Sequence, residues 1–163
     1  MGALISNCGK YRTYLTRRIS GIPNDETLLF IMLNPSTADA ELDDPTIRKC
    51  KGFCEQLNFG RLAVANLFDY RATDPSVLKT IEKPCSDHNI DILLDAAHKA
   101  SMVICAWGTK GALHGQGEYV LRKLGKNGIT THALELTKEN HPKHPLYISY
   151  SKKPFVFYGA IAG

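Results

Sequence analysis

The chain has 163 residues, 44% hydrophobic and 22% charged, with a formal net charge of +4. That length supports one domain with a sizeable core and excludes two large ones. No apolar run approaches the roughly 20 residues of a membrane-spanning helix and no secretory signal opens the sequence, so a soluble, cytoplasmic protein is expected. The charge is compatible with a polyanionic partner without requiring one. The five cysteines, Cys8, Cys50, Cys54, Cys85 and Cys105, form no CxxC pair. Their odd number and spacing argue against a disulfide framework or an iron–sulfur cluster.

Residues 1–26 read as an N-terminal extension. Within it, Tyr11–Ile19 is rich in strand formers and basic groups and predicts an antiparallel edge strand, ended by Gly21-Ile22-Pro23-Asn24-Asp25. Leu28–Leu33 is a short apolar run, the pattern of a strand buried on both faces, and it stops at Asn34-Pro35-Ser36-Thr37. An acidic loop carrying Asp39, Glu41, Asp43 and Asp44 follows. Asp44-Pro45 then marks a helix start, with Asp as the capping residue and Pro at the first helical position. Ile47, Cys50, Phe53, Cys54 and Leu57 form an apolar stripe at helical spacing that runs to about Phe59-Gly60.

A second strand is expected over 61–66, ending at Asn66. Leu67–Pro84 is a long irregular connection containing Arg71, of the kind that tends to carry function. Ser86 or Asp87 is expected to cap a helix whose Ile90, Leu93, Leu94 and Ala97 face the core. A third strand over 101–106 runs into Trp107-Gly108. A helix over 112–124 and a fourth strand over 129–135 lead to His141-Pro142-Lys143-His144-Pro145-Leu146-Tyr147. The tail Pro154–Tyr158 is apolar and is expected to pack on the sheet, and Gly159–Gly163 to fray.

Strands alternating with helices predict an α/β fold: a central sheet of four parallel strands between helices, in one domain over 1–163 with its core at 27–150 and a tail at 151–163. Right-handed crossovers place all four carboxyl ends on one edge. Asn34, Asn66, Trp107 and His144 each follow or end a strand, so that edge is the expected ligand crevice. Asn supplies a paired donor and acceptor and His a switchable donor, which suit a small, planar, polar ligand.

The motifs LNPSTAD, DDPTIRKC, NLFDYRATDP, AWG and HPLY resemble an uncharacterised bacterial and phage family, domain of unknown function 1643, over about residues 27–150. More distantly, their order is similar to the uracil-DNA glycosylase superfamily. That resemblance implies a four-stranded parallel sheet between helices and hydrolysis of an N-glycosidic bond in DNA without a metal or cofactor. It implies that Asn34 holds the attacking water and His144 donates to the departing base. It further implies a base-binding surface drawn from Pro35, Ser36, Asn66, Phe68, Trp107, Pro145 and Tyr147, with Arg71 on phosphate. Met32 and Ser36 replace the two glycines of the superfamily's first motif, and Leu146 and Tyr147 replace the small residues after its His-Pro.

Two other functions stay open on the residues alone. The acidic loop could hold Mg²⁺ for an enzyme acting on a free nucleotide. The same crevice could belong to a non-catalytic module that binds a nucleobase or a nucleic-acid end. His132, His141 and His144 are also weighed as transition-metal ligands. The expected partner is thus DNA or a nucleotide, and the acidic rim is expected to repel duplex phosphates.

Overall fold

The computed structural model describes residues 2–36, 38–39 and 41–159. The expected fraying beyond Gly159 falls outside them. In chain order the elements are β1 (Gly2–Ile5), β2 (Arg12–Arg18), β3 (Thr27–Met32), α1 (Pro45–Leu57), β4 (Arg61–Asn66), α2 (Asn89–Lys99), β5 (Met102–Cys105), α3 (Gln116–Lys126), β6 (Thr131–Ala133) and β7 (Phe155–Tyr158). The strands form one mixed sheet of seven, in the order β1-β2-β4-β3-β5-β6-β7. β4, β3, β5 and β6 pair in parallel. β2 joins β4, β1 joins β2 and β7 joins β6, all antiparallel.

The sheet is therefore wider than the four strands expected. The Tyr11–Ile19 stretch does form an antiparallel strand, but β1 covers its outer side. Leu15 and Ile19 are almost fully buried, too apolar a pair for an open edge. The tail does not lie across the sheet; it adds to its far edge as β7.

Side chains alternate between the two faces of a strand. Leu28, Phe30, Met32, Leu62 and Val64 build one core with Ile47, Cys50, Phe53 and Cys54 of α1. Leu29, Ile31, Ala63 and Ala65 build a second with Leu93 of α2 and with Val120 and Leu124 of α3. One helix thus covers one face and two cover the other. Each fully buried Leu, Ile or Phe contributes about 1.5–3 kcal/mol of transfer free energy. The buried thiols of α1 are core groups, and burial pushes Cys54 up to about 12, so they stay protonated. Among the described residues no helix is long and apolar enough to cross a membrane.

Asp44 caps α1, accepting from the Ile47 amide at 2.9 Å, with Pro45 first in the helix. α2 begins later than expected. Ser86 does not cap it: its amide donates to Asp69 Oδ1 at 2.6 Å and its hydroxyl to Asp69 Oδ2. α3 begins at Gln116 rather than near 112, because His114 (φ 56°) and Gly115 (φ 64°) adopt the left-handed conformation and end a preceding 3₁₀ segment.

From β3 the chain passes through α1 on one face to β4. From β4 it passes through α2 on the other face, beyond β3, to β5. The connections leaving the neighbours β3 and β5 therefore diverge, which opens a crevice at their carboxyl ends.

Candidate functional site

A cavity of about 490 Å³ occupies that crevice. This is within the range of small-molecule sites. Asn34 and Ser36 reach it from the β3 exit, Asn66 from the end of β4, Trp107 from beyond β5, and His144 and Tyr147 from beyond β6. Pro35, Phe68, Arg71 and Pro145 do not line it. Pro35 is buried, and its carbonyl accepts from the Ala72 amide at 3.0 Å. Pro145 opens a short 3₁₀ turn. Arg71 anchors the chain through its backbone amide, 2.7 Å from Lys10 O. The stacking position expected for Phe68 is not where its ring lies. It is 1% exposed, edge-on to His114 in the core beneath α2 and α3, where an apolar ring is better accommodated than in a polar crevice.

Asn66 is the most informative group on the wall. It lies opposite Met32 in the β3–β4 register and is 1% exposed. Its backbone is held from behind. Asn89 Nδ2 donates to the carbonyls of Asn66 (2.9 Å) and Leu67 (3.2 Å), and Gln116 Nε2 donates to the latter at 3.2 Å. Its side chain has no such support: Oδ1 and Nδ2 are both buried without a hydrogen-bond partner among the described residues. A buried polar atom left unpaired costs about 1–3 kcal/mol. A residue that lines the cavity thus carries this cost at both ends of its carboxamide, a donor and an acceptor left in reserve.

Asn34 is half committed. Its amide donates to the carbonyls of Pro35 (3.0 Å) and Ala72 (2.9 Å), which ties the β3 exit to the connection after β4. Carbonyls only accept, so the group facing them is the NH₂ and Oδ1 is left as an acceptor. His144 Nδ1 accepts from the Leu146 amide at 3.2 Å. The ring proton therefore sits on Nε2, and the imidazole is a neutral donor. Burial draws its pKa below the ordinary value, against the attraction of Asp44. Trp107 is 3% exposed, and Gly111 and Gly117 make room for it; a methyl on Gly111 would meet its ring at 2.0 Å. Tyr147, 83% exposed, stands at the mouth.

The acidic loop is tied into the fold at several points, and Asp44 also lines the cavity. Asp43 meets Arg17 Nε at 2.7 Å and Lys51 Nζ at 3.1 Å. Arg17 also donates to the carbonyls of Asp39 and Leu42, clamping the loop to β2. Asp39 Oδ1 accepts from the Glu41 and Leu42 amides, and Asp44 is the α1 cap. Three of its four carboxylates are thus engaged in local structure. Among the described residues, no group of three or more His, Cys, Asp or Glu side chains could hold a metal ion, so His132, His141 and His144 are not gathered.

Asp43→Ala is expected to cost about 2 kcal/mol, measured by urea denaturation. This is less than the roughly 3–5 kcal/mol for breaking a fully buried pair, because Asp43 keeps some water. Burial alone would raise the Asp43 carboxyl, but hydrogen bonds from Arg17 and Lys51 outweigh it and hold the carboxyl below 3.8. Its contribution is therefore present above that pH and is lost as the pH falls through the folded value.

Arg12 is the wall residue that sequence reasoning missed. β2 runs antiparallel to β4, so its first residue sits beside the carboxyl ends of the parallel strands. The Arg12 amide donates to Asp69 O at 2.8 Å. The residue is 2% exposed, lines the cavity, and has no partner on Nε among the described residues. Locally, a basic residue on a presumed edge strand reads as solvated. Only the direction of that strand could have flagged it.

These features define a mixed α/β protein with a crevice at the topological switch of its sheet. The chain belongs to the family described as protein of unknown function (DUF1643), whose model matches residues 12–146. The matched span contains Arg12, Asn34, Asn66, Trp107 and His144. No curated protein and no solved structure matches the chain.

Proposed function

We propose that the crevice binds a nucleobase extruded from DNA and that the protein hydrolyses its N-glycosidic bond, in the manner of the uracil-DNA glycosylase superfamily that its motifs resemble. The observation that carries this reading is the Asn66 carboxamide, buried and unpartnered at both ends on the cavity wall. It suits the paired donor and acceptor on the edge of a base. The order of the parallel strands, β4-β3-β5-β6, and the helices on both faces also support a fold of that kind.

In this mechanism Asn66 reads the base edge, and Asn34 Oδ1 accepts from the attacking water and aims its oxygen at the anomeric carbon. The bond from that carbon to the base nitrogen breaks, and its electron pair leaves with the base. His144 Nε2–H stabilises the charge that builds on a base oxygen. The water's oxygen stays on the sugar and its proton ends on the departing base.

The test is incubation with oligonucleotides bearing uracil, hydroxymethyluracil or hypoxanthine, with EDTA present. Abasic sites are expected with at least one of them, falling about 100-fold with Asn34→Ala. No abasic product from any altered base would overturn the catalytic reading. Binding without turnover would leave a nucleobase-binding module. That second reading is favoured by Met32 and Ser36, which replace glycines where the backbone would approach a ligand, and by the locked Asn34 amide.

A further inference from the structure

An arginine this buried calls for an anion in contact, and no carboxylate among the described residues forms an ion pair with Arg12. Fully buried arginines are otherwise found paired. Arg17, on the same strand, has its carboxylate at 2.7 Å. Arg12 takes part in no ion pair among the described residues. Nη1 reaches Ala38 O at 2.5 Å and Nε has no partner. Asp44 and Asp39 act on it only through space, and both are engaged: Asp44 caps α1, and Asp39 binds the Glu41 and Leu42 amides. Arg71 and Arg17 add positive charge from nearby. Burial draws the guanidinium down to about 10, so it remains a cation at neutral pH. Holding Ala38 uses one of its five donors. Arg12 lines the cavity together with Asn66, His144 and the capping Asp44.

We propose that Arg12 binds a phosphate, so that the crevice takes a phosphorylated nucleoside rather than a bare base. The phosphate comes either from a free nucleotide or from one unit of a DNA strand. The guanidinium fork matches two phosphate oxygens, and a phosphate is the anion that a nucleobase in the same cavity brings with it. The identity of the ligand's other half rests on the nucleobase reading above; the phosphate site does not.

The test uses the full chain at constant ionic strength. The Nε–H resonance of Arg12 is assigned by through-bond correlation and by its absence from Arg12→Lys. It is then followed during titration with inorganic phosphate, deoxyuridine, the corresponding 5′-monophosphate and a short single-stranded deoxyuridine oligonucleotide. Phosphate is expected to shift this resonance. The monophosphate is expected to bind about tenfold more tightly than the nucleoside, an advantage lost in Arg12→Lys. The phosphate shift persists in Asn66→Leu, so failure of the nucleobase reading leaves this result standing. Tighter binding of the oligonucleotide assigns the phosphate to a strand, and tighter binding of the mononucleotide to a free nucleotide; either supports the proposal. An Arg12 resonance unmoved by phosphate, or equal affinity for nucleoside and monophosphate, overturns it. The resonance is read on the wild-type chain, so the decision stands even if Arg12→Lys does not fold.

Discussion

Asn66→Leu is expected to stabilise the fold while removing base binding. Leucine keeps the branched outline of asparagine but carries no polar atoms. The wild-type carboxamide is 1% exposed with two unpaired atoms, each costing about 1–3 kcal/mol. Removing both, while adding a slightly larger apolar group beside a cavity, should gain about 2 kcal/mol. For a chain of this size that raises Tm by about 4–8 °C. Under the proposed function, the same change deletes two hydrogen bonds to the base. At about tenfold each, affinity falls about 100-fold. Calorimetry on the free protein and isothermal titration with a base-containing ligand read the two effects separately. A drop in Tm of similar size would mean that the carboxamide has partners inside the fold, and its assignment as a recognition group would go.

Under the proposed function, His144→Ala is expected to lower turnover about 100-fold or more, the usual loss when one donor to a developing oxyanion is removed. His144→Gln, which restores an N–H donor, should recover part of it. The two variants also differ from the wild type in how stability depends on pH. The folded chain holds His144 neutral below the ordinary imidazole value of 6.5. Below that value the unfolded chain takes up the proton first, so wild-type stability falls with pH until the folded ring also titrates, and it is unaffected above. Both variants remove this slope. Urea denaturation between about pH 5 and 7.5 checks it. An unchanged slope in His144→Gln would mean that other groups titrate there.

The parallel strands were legible because their signal is local. Leu28–Leu33 and 61–66 are apolar runs closed by turn residues, and Asp44-Pro45 spells out a helix start. Asn66 was legible for the same reason, as a polar residue at the end of such a run. What escaped depends on partners distant in the chain. Whether Tyr11–Ile19 is an edge is decided by Gly2–Ile5, which pairs with it. The start of α3 turns on the left-handed conformation of His114, a residue with no intrinsic preference strong enough to announce it. The tie between the acidic loop and β2 was not legible because Arg17, which meets Asp43, comes from a distant strand. Phe68 and Trp107 look alike as aromatics just past strand ends and belong to the same core cluster, yet of the two it is Trp107 that also lines the cavity.

Trp107 has a use of its own. It is the sole tryptophan of the chain, shielded from bulk solvent and seated between Gly111, Gly117 and the crevice. Excited at the red edge, where the seven tyrosines do not absorb, it is observed by itself, and it borders the compartment of interest. Its emission reports the surroundings of the indole, the crevice wall among them and the Phe157 ring as well. A small neutral quencher and a charged one, compared in the empty protein, measure how far the mouth beside Tyr147 admits ions.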